Sequence, residues 1–405
     1  MPGHQIINWF FILTQIGAEM HLFKRILLLI MLFSTISSQA LALTLDEKIG
    51  QMLIIGFDGK TIDANSKIVK IIEESNIGGV ILFDYNNQTK QFDKNIESPE
   101  QVKLLNKQLQ NYTSNANITN HRENLPLLIS VDYEGGKINR LSEAYGFPAT
   151  ISAKNIGNMP RDEANNIAKN MAQTLKSAGF NLDFAPVLDV NINPENPVIG
   201  KKERSFSSNP EEVAAYAKIF SEQFLNHGVQ CAYKHFPGHG SSTKDSHLGF
   251  VDVTDTWQDL ELIPYEKMIA EPKHCGIIMS AHIVNKKLDA EGFPATLSYE
   301  ILTNTLRKKL KFDGVIITDD MQMKAITDNY GTDSAVTLAI NAGADMLVFG
   351  NQLTPSYVDP KEIIAIIKQK IASGEINEER INDAYRHITN LKNNLKTPSL
   401  RVIEL

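Results

Sequence analysis

Residues 314–320 read GVIITDD, an apolar run rich in β-branched residues that ends in two aspartates. The apolar residues are continuous rather than alternating, which is typical of a parallel strand buried on both faces. Two carboxylates directly after such a strand are costly to desolvate unless they are hydrogen-bonded or used in chemistry. The stretch therefore predicts a buried parallel strand with polar chemistry at its carboxyl end.

Seven further apolar runs lie along the chain, and segments with helical patterns separate them. The eight runs occupy residues 51–57, 78–83, 125–131, 182–190, 229–235, 275–282, 314–318 and 344–349. Eight alternations of strand and helix predict a (β/α)8 barrel of the TIM type, built as a single catalytic domain over residues 43–405. An open doubly wound sheet is the alternative, and the count of eight favours the barrel because eight strands are the usual number for closure.

Capping patterns between the runs indicate where helices begin and end. The sequences SPEQ at residues 98–101 and NPEE at residues 209–212 place a capping residue before a proline in the first helical turn. Residues 160–178 carry apolar side chains at helical spacing, and Gly179 follows them as a C-cap. Residues 360–394 are predicted to form closing helices.

Polar residues follow several of the predicted strands at the point where each strand ends. In a barrel of parallel strands, chemistry gathers at the carboxyl ends of the strands and in the loops after them. The residues concerned are Asp132, Glu134 and Arg140, then Asp189 and Asn191, Lys234 and His235, His282, and Asp319 and Asp320. We therefore expect one site at this end of the barrel.

The loop at residues 234–247 reads KHFPGHGSSTKDSH and holds three of the ten histidines of the chain. Asp245 and His247 are two residues apart, so the carboxylate can reach the imidazole, select its tautomer and raise its basicity. We interpret the pair as a general acid/base carried on a loop. A metal site formed by His235, His239 and His247 is one alternative, and a surface loop without chemistry is another.

The aspartate pair after the seventh run has two interpretations. Asp319 is a candidate nucleophile, whereas Asp320 is equally a candidate helix N-cap. In the stretch VDYEGGKINRL, residues 131–141, Asp132 and Arg140 offer an acceptor and a donor suited to sugar hydroxyls. A structural salt bridge at the rim of the barrel is the alternative for that second pair.

Taken together, these motifs resemble glycoside hydrolase family 3, in particular its single-domain β-N-acetylglucosaminidase branch. The resemblance rests on KHFPGHG with DSH at residues 234–247, VD-x-EGG at 131–136, RSF at 204–206 and ITDDMQM at 317–323. It extends over essentially the whole chain after residue 42. It implies a TIM barrel and hydrolysis of a glycosidic bond.

The resemblance also implies roles for eight residues. Asp319 matches the nucleophile, His247 the general acid/base, and Asp245 the partner of that histidine. The residues that match those holding the N-acetylglucosamine unit are Asp132, Arg140, Arg204, Lys234 and His235. A carboxylate nucleophile with a separate proton donor is the machinery of a retaining glycosidase, which requires no metal or organic cofactor.

Three departures from the family pattern stand near the implied site. Tyr133 replaces a more usual glutamine, Lys137 replaces an arginine, and Lys201-Lys202 resembles a short insertion. These changes leave the implied catalytic residues intact. They bear on the positioning of Arg204 and on the preference for a leaving group.

The predicted function is release of terminal N-acetylglucosamine from peptidoglycan fragments or related β-N-acetylhexosaminides, through a covalent glycosyl-aspartate. The alternatives are a broader β-glycosidase, a chito-oligosaccharide hydrolase and a non-catalytic sugar-binding protein. Phosphorolysis also stays open, because a neutral imidazole repels an incoming anion less than a carboxylate does. We expect a monomer that binds carbohydrate, and the net charge of −7 without a basic stripe argues against nucleic acid.

The amino-terminal 42 residues have the order of a secretory signal peptide. Lys24 and Arg25 precede an apolar run over residues 26–36, and the small-residue pattern Ala40-Leu41-Ala42 follows. We expect export to the bacterial periplasm or medium, with no stable membrane insertion after cleavage. A start at Met20 and an uncleaved anchor are the alternatives.

The chain has two cysteines, Cys231 and Cys275, each near the start of a predicted strand. Two buried free thiols are predicted, because cysteine is among the most buried residue types. One disulfide is the alternative, which an oxidising compartment allows.

Overall fold

The structure is a computed structural model that describes residues 43–354 and 357–395. Eight parallel strands close into a barrel in which each strand pairs with its neighbours along the chain. They are β1 Leu53–Gly56, β2 Gly79–Ile81, β3 Leu128–Val131, β4 Leu182–Asp183, β5 Gln230–Phe236, β6 Ile277–Ser280, β7 Val315–Asp320 and β8 Met346–Phe349. The predicted TIM-type barrel is confirmed, and the open sheet is wrong.

Helices surround the barrel. They are α1 Leu45–Gln51, α2 Lys67–Ser75, α3 Pro99–Thr119, α4 Ala153–Ile156, α5 Arg161–Ala178, α6 Pro210–Asn226, α7 Ile263–Ala270, α8 Lys324–Thr327, α9 Thr332–Ala342, α10 Pro360–Ala372 and α11 Glu378–Leu395. A π-helical segment, Glu300–Lys309, takes the place of the helix after β6. A two-stranded hairpin, Tyr133–Gly135 with Ile138–Asn139, follows β3. One contiguous apolar core fills the barrel and the space beneath the helices.

The predicted capping residues begin and end their helices. Ser98 Oγ accepts a hydrogen bond from the backbone N–H of Gln101 at 3.2 Å, and Asn209 Oδ1 accepts from the backbone N–H of Glu211 at 3.0 Å. Gly179 ends α5 with φ 84°, a left-handed conformation that glycine adopts without steric cost. The closing helices α10 and α11 lie within the predicted residues 360–394 and one residue beyond.

Strand β4 is shorter than the predicted run over residues 182–190. Pro186 lies in this run, and it has no N–H to donate to a ladder. The chain nevertheless stays beside β5, because the backbone N–H of Leu188 donates to Lys234 O at 2.7 Å. The run therefore keeps its place in the barrel while the regular ladder ends early.

Cys231 and Cys275 form a disulfide, with their Cα atoms 4.9 Å apart. The prediction of free thiols is therefore wrong. Cys231 lies near the amino end of β5, and Cys275 lies just before β6. Since β5 and β6 are parallel neighbours, the two side chains meet at the end of the barrel opposite to the carboxyl ends of the strands.

The predicted signal peptide, residues 1–42, lies outside the described residues. Its boundary with the barrel at residue 43 stays a prediction. Among the described helices, none has both the length and the apolarity that a membrane crossing requires.

Candidate active site

Seven of the eight predicted site residues line one cavity, of about 240 Å³. They are Asp132, Arg140, Arg204, Lys234, His235, His247 and Asp319. The eighth, Asp245, contacts the ring of His247. The cavity lies at the mouth of the barrel, where the carboxyl ends of parallel strands meet. Apolar side chains complete the lining, among them Ile81, Phe83, Phe184, Met279, Met323 and Val348.

Asp319 and Asp320 end β7 in different electrostatic surroundings. Burial alone would raise the pKa of Asp319, but the imidazoles of His282, His235 and His247 outweigh it and lower the pKa from its ordinary value. Burial raises the pKa of Asp320 to about 7. Asp319 is therefore ionised near neutral pH, whereas Asp320 keeps its proton until the pH approaches 7.

Asp320 joins β7 to the loop after β8. Its Oδ1 accepts hydrogen bonds from the backbone N–H groups of Gln322 at 3.0 Å and Gly350 at 3.3 Å. Helix α8 begins only at Lys324, after Met323. The N-cap interpretation of Asp320 is therefore wrong, although the residue does accept bonds from backbone donors.

His247 and Asp245 form the hydrogen-bonded pair that their spacing predicts. His247 Nδ1 lies 2.7 Å from Asp245 Oδ1, and the same oxygen accepts from the backbone N–H of His247 at 2.9 Å. The bond from the His247 side chain lowers the pKa of Asp245 to about 2. Asp245 is thus an acceptor only, so the proton of the neutral ring lies on Nδ1 and Nε2 carries the lone pair.

A buried network of charges forms one wall of the cavity. Lys234 Nζ lies 2.9 Å from Asp132 Oδ1 and 2.7 Å from Glu134 Oε1. Arg204 binds Glu134 through Nε at 2.8 Å and Nη2 at 2.6 Å. These cations outweigh the effect of burial, lower the pKa of Glu134 and bring the pKa of Asp132 to about 2.

Glu134 is among the polar residues predicted at this end of the barrel but not among the eight with an implied role, and it pairs with two of those eight. Its side chain is buried and pairs with both Arg204 and Lys234. The signal in the sequence was its place in EGG directly after β3. The following glycines suit a tight turn, because Gly135 has φ 91° and Gly136 has φ 58°.

His235 has a defined tautomer. Its Nε2 lies 3.1 Å from Arg204 Nη2, which can only donate, so Nε2 is the acceptor. Its Nδ1 therefore carries the proton and donates to Asp189 Oδ2 at 2.7 Å. Burial, together with Arg204 and Lys234, lowers the pKa of His235 well below its ordinary value, so the ring is a neutral, oriented group.

The three histidines of the loop do not converge on a common point. His235 contacts Asp189 and Arg204, and His247 contacts Asp245. His239 is buried between two hydroxyls, with Nδ1 2.8 Å from Ser242 Oγ and Nε2 3.1 Å from Ser246 Oγ. Over residues 43–354 and 357–395, no three His, Cys, Asp or Glu side chains are grouped to hold a metal ion.

Arg140 is held less tightly than Arg204 and Lys234. Its Nη1 lies 3.7 Å from Asp84 Oδ1. Its backbone N–H donates to Asp132 O at 3.1 Å, which keeps the residue beside the cavity. Its buried Nε finds no hydrogen-bond partner within the described residues.

An ionised carboxylate and an Asp–His pair at the carboxyl ends of barrel strands are the groups that a glycoside hydrolase can use as nucleophile and proton donor. The family model named glycosyl hydrolase family 3 N terminal domain matches residues 44–391. The chain belongs to that family, as its motifs predict.

Curated relatives and solved structures agree with this assignment. The chain is 31% identical over 353 residues to beta-hexosaminidase A of Pseudoalteromonas piscicida, which covers 82% of this chain and 56% of that protein. It is 33% identical over 306 residues to a beta-hexosaminidase of Tolumonas auensis, covering 74% of this chain and 82% of the other.

The solved structure of a family 3 beta-N-acetylglucosaminidase from Paenibacillus sp. str. FPU-7 has a TM-score of 0.78 to this chain at 33% identity. That likeness covers 90% of this chain and 65% of the other. The chain therefore spans less than two thirds of that protein and of the Pseudoalteromonas enzyme.

Proposed function

We propose that this chain is a retaining exo-β-N-acetylhexosaminidase that releases terminal N-acetylglucosamine. The observation that carries the proposal is one cavity lined by both Asp319, with its lowered pKa, and His247, with Asp245 behind its ring. A nucleophilic carboxylate and a separate proton donor are what retention requires. The names of the relatives, beta-hexosaminidase and beta-N-acetylglucosaminidase, support the choice of sugar.

In the first step, a carboxylate oxygen of Asp319 attacks the anomeric carbon, and the glycosidic bond breaks with its electron pair going to the leaving oxygen. For this step His247 starts as the imidazolium, with a proton on each ring nitrogen, and it donates the proton from Nε2 to that oxygen. The product is a glycosyl ester of Asp319. Because Asp245 holds the proton on Nδ1, only Nε2 of the same ring is left to exchange protons with the substrate.

In the second step, His247 Nε2 accepts a proton from water, and the water oxygen attacks the anomeric carbon. The ester bond to Asp319 breaks, the carboxylate is restored, and the sugar leaves with retained configuration. One imidazole thus acts as acid and then as base. The negative charge of Asp245 stabilises the imidazolium that forms in this step.

Five residues would hold the sugar: Asp132, Arg140, Arg204, Lys234 and His235. Three of these, Arg204, Lys234 and His235, are already tied to Glu134 or Asp189. Donors and acceptors fixed in this way need little reorganisation when substrate binds. The buried network is therefore a positioning device for the sugar hydroxyls and the N-acetyl group.

We further propose that the natural substrate is a peptidoglycan fragment and that the protein acts outside the cytoplasm. The disulfide between Cys231 and Cys275 supports export, because such bonds persist mainly in oxidising compartments. The three-part order of residues 1–42 supports the same location. In this proposal residues 43–405 form the mature catalytic domain.

Hydrolysis of two nitrophenyl glycosides, the β-N-acetylglucosaminide and the β-glucoside, tests the proposed activity. We expect a strong preference for the N-acetyl substrate. Asp319→Ala should abolish turnover, and His247→Ala should reduce it greatly. Equal turnover of both glycosides would favour a broader β-glycosidase. Sugar binding without turnover in the unmutated protein would favour a non-catalytic role.

A further inference from the structure

Lys202 is a cation of the cavity that the proposed mechanism does not use. It lies in the loop between β4 and α6, two residues before Arg204, and its half-buried side chain lines the cavity together with His247. Its ammonium group makes no hydrogen bond or ion pair within the described residues. The adjacent Lys201 differs, because it is exposed and its Nζ lies 3.2 Å from Glu195 Oε2.

The carboxylates around Lys202 are already committed to other partners. Asp245 and Glu134 are the two that attract Lys202. Asp245 binds the ring of His247, and Glu134 binds Arg204 and Lys234. A half-buried charge without a partner costs free energy, because it loses hydration and gains no ion pair in return.

Among the described residues that line the cavity, two cations are unpaired or weakly paired, and Lys202 is one of them. Arg140 is the second such cation, because its Nη1 lies 3.7 Å from Asp84 Oδ1. Its buried Nε has no hydrogen-bond partner within the described residues. Burial and the neighbouring guanidinium of Arg204 lower the pKa of Lys202. An anion placed between these groups would be attracted by both.

The position of Lys202 indicates which part of a substrate such an anion belongs to. In the proposed mechanism His247 protonates the leaving oxygen, so the leaving group lies on the side of the His247–Asp245 pair. Lys202 and His247 both line the cavity and are both partly exposed, whereas Arg204, Lys234 and His235 are buried, so Lys202 lies with His247 toward the open side of the cavity. The sugar, in contrast, is held by the network around Glu134.

We propose that Lys202 is a specificity-determining residue that binds a carboxylate carried by the leaving group. The proposal rests on the proposed glycosidase activity and deepens it, since it names the chemistry of the group beyond the scissile bond. Lys202 would select substrates whose leaving group is anionic. The insertion-like pair Lys201-Lys202 then has a function in this chain.

Two matched substrates test the proposal: the β-N-acetylglucosaminides of 4-nitrophenol and of 3-carboxy-4-nitrophenol. We compare kcat/KM for the unmutated protein, Lys202→Met, Lys202→Arg and the neighbouring control Lys201→Met. The unmutated protein should prefer the carboxylated substrate by about tenfold, the effect of one charged hydrogen bond. Lys202→Met should lose this preference, whereas Lys202→Arg and Lys201→Met should keep it.

The same measurements separate the failure of this proposal from the failure of the proposed function. If Lys202→Met keeps the preference while both substrates are hydrolysed, Lys202 does not bind the leaving group, and the glycosidase activity stands. If the unmutated protein hydrolyses neither substrate, both proposals fall. If added inorganic phosphate yields N-acetylglucosamine 1-phosphate in the unmutated protein but not in Lys202→Met, the anion is an acceptor, which overturns the assignment to the leaving group.

Discussion

Two adjacent carboxyl groups at the end of β7 have their pKa values moved in opposite directions. Asp319 lies among the imidazoles of His282, His235 and His247, which lower its pKa, while burial raises the pKa of Asp320 to about 7. His282 also donates from Nε2 to the carbonyl oxygen of Asp320 at 3.0 Å, which fixes the end of the strand. Environment rather than residue type therefore separates the proposed nucleophile from its neighbour.

The raised pKa of Asp320 predicts a pH-dependent difference in stability between the unmutated protein and Asp320→Asn. The native state holds a proton on Asp320 that the unfolded chain has already lost, so the free energy of unfolding falls as pH rises from about 4 to about 7. Asp320→Asn lacks this contribution. The variant should therefore gain stability relative to the unmutated protein across this range, with no further change above it.

Urea denaturation of both proteins at intervals from pH 4 to pH 8 measures this difference. Subtracting the free energies of unfolding of the two proteins removes the contributions of other titrating groups. Glu261 is one such group, because burial raises its pKa to about 7. A difference that stays constant with pH would show that Asp320 ionises at its ordinary pKa.

The pairing of Asp245 with His247 predicts where a substitution acts in the catalytic cycle. The asparagine side chain in Asp245→Asn can still accept a hydrogen bond from His247 Nδ1. It has no negative charge, however, to stabilise the imidazolium that forms when His247 removes a proton from water. Steady-state turnover of the nitrophenyl substrate should fall about a hundredfold, while a rapid burst of nitrophenol remains. Stopped-flow absorbance measures both phases.

Asp252→Asn is a matched control for this experiment. Asp252 makes a similar turn hydrogen bond, from Thr254 N to Oδ1 at 2.8 Å, but it does not line the cavity. Its turnover should equal that of the unmutated protein. A loss of the burst in Asp245→Asn would mean that Asp245 serves formation of the intermediate instead.

At the scale of elements, the loop after β5 has a fixed stem and an exposed tip. Asp189 Oδ1 accepts from the backbone N–H groups of His235 at 3.2 Å and His239 at 2.7 Å, and Glu261 accepts from that of Gly240 at 3.1 Å. The tip that follows carries His247, whose side chain is 43% exposed. A loop of this kind can close over substrate.

His239 joins the stem to the tip, because its buried ring contacts Ser242 at 2.8 Å and Ser246 at 3.1 Å. His239→Ala should release the tip and misplace His247, which lowers turnover about ten- to a hundredfold. The loss should be larger for an alkyl leaving group, which needs protonation, than for nitrophenol. Hydrogen exchange at residues 243–250 should also become faster.

His227→Ala provides the control for this loop, since His227 lies at the end of α6 and its Nδ1 contacts Gln223 O at 2.7 Å. This variant should retain the exchange rate of the tip and the turnover of both substrates. Equal losses on the two leaving groups in His239→Ala would indicate a general destabilisation and contradict the positioning role.

The strands were predictable from sequence because burial on both faces leaves a continuous apolar run. The residues at which the strands end were not predictable. Strand β4 ends at Asp183, although the apolar run that contains Pro186 continues to residue 190. Charged residues in the sequence also gave no sign of one buried cluster, in which Arg307 and Arg380 both pair with buried Asp345.

At the scale of the whole molecule, pairs that are distant in sequence were the hardest to predict. Glu134 and Arg204 are 70 residues apart, and the fold alone brings them into contact. The site residues were predictable because parallel strands of a barrel end at one mouth. The same geometry places Cys231 beside Cys275, which sequence reasoning missed although the predicted topology implied it.

The disulfide closes a loop of 44 residues at the amino ends of the strands, away from the cavity. The chain-entropy relation assigns such a cross-link about 4 kcal/mol of the free energy of unfolding. The double substitution Cys231→Ser and Cys275→Ser should therefore lower the urea midpoint while leaving KM for the nitrophenyl substrate unchanged. An altered KM would show that the link shapes the site as well as the fold.

The proposed mechanism requires a covalent bond between Asp319 and the sugar, and that bond can be trapped. We would incubate His247→Ala, in which breakdown of the intermediate is slowed, with 4-nitrophenyl β-N-acetylglucosaminide and analyse the protein by peptide mass spectrometry. We expect one added N-acetylhexosamine on the peptide that contains Asp319, and none when Asp319→Ala is combined with His247→Ala. Turnover with inverted configuration, or an adduct on any other residue, would contradict the proposed mechanism.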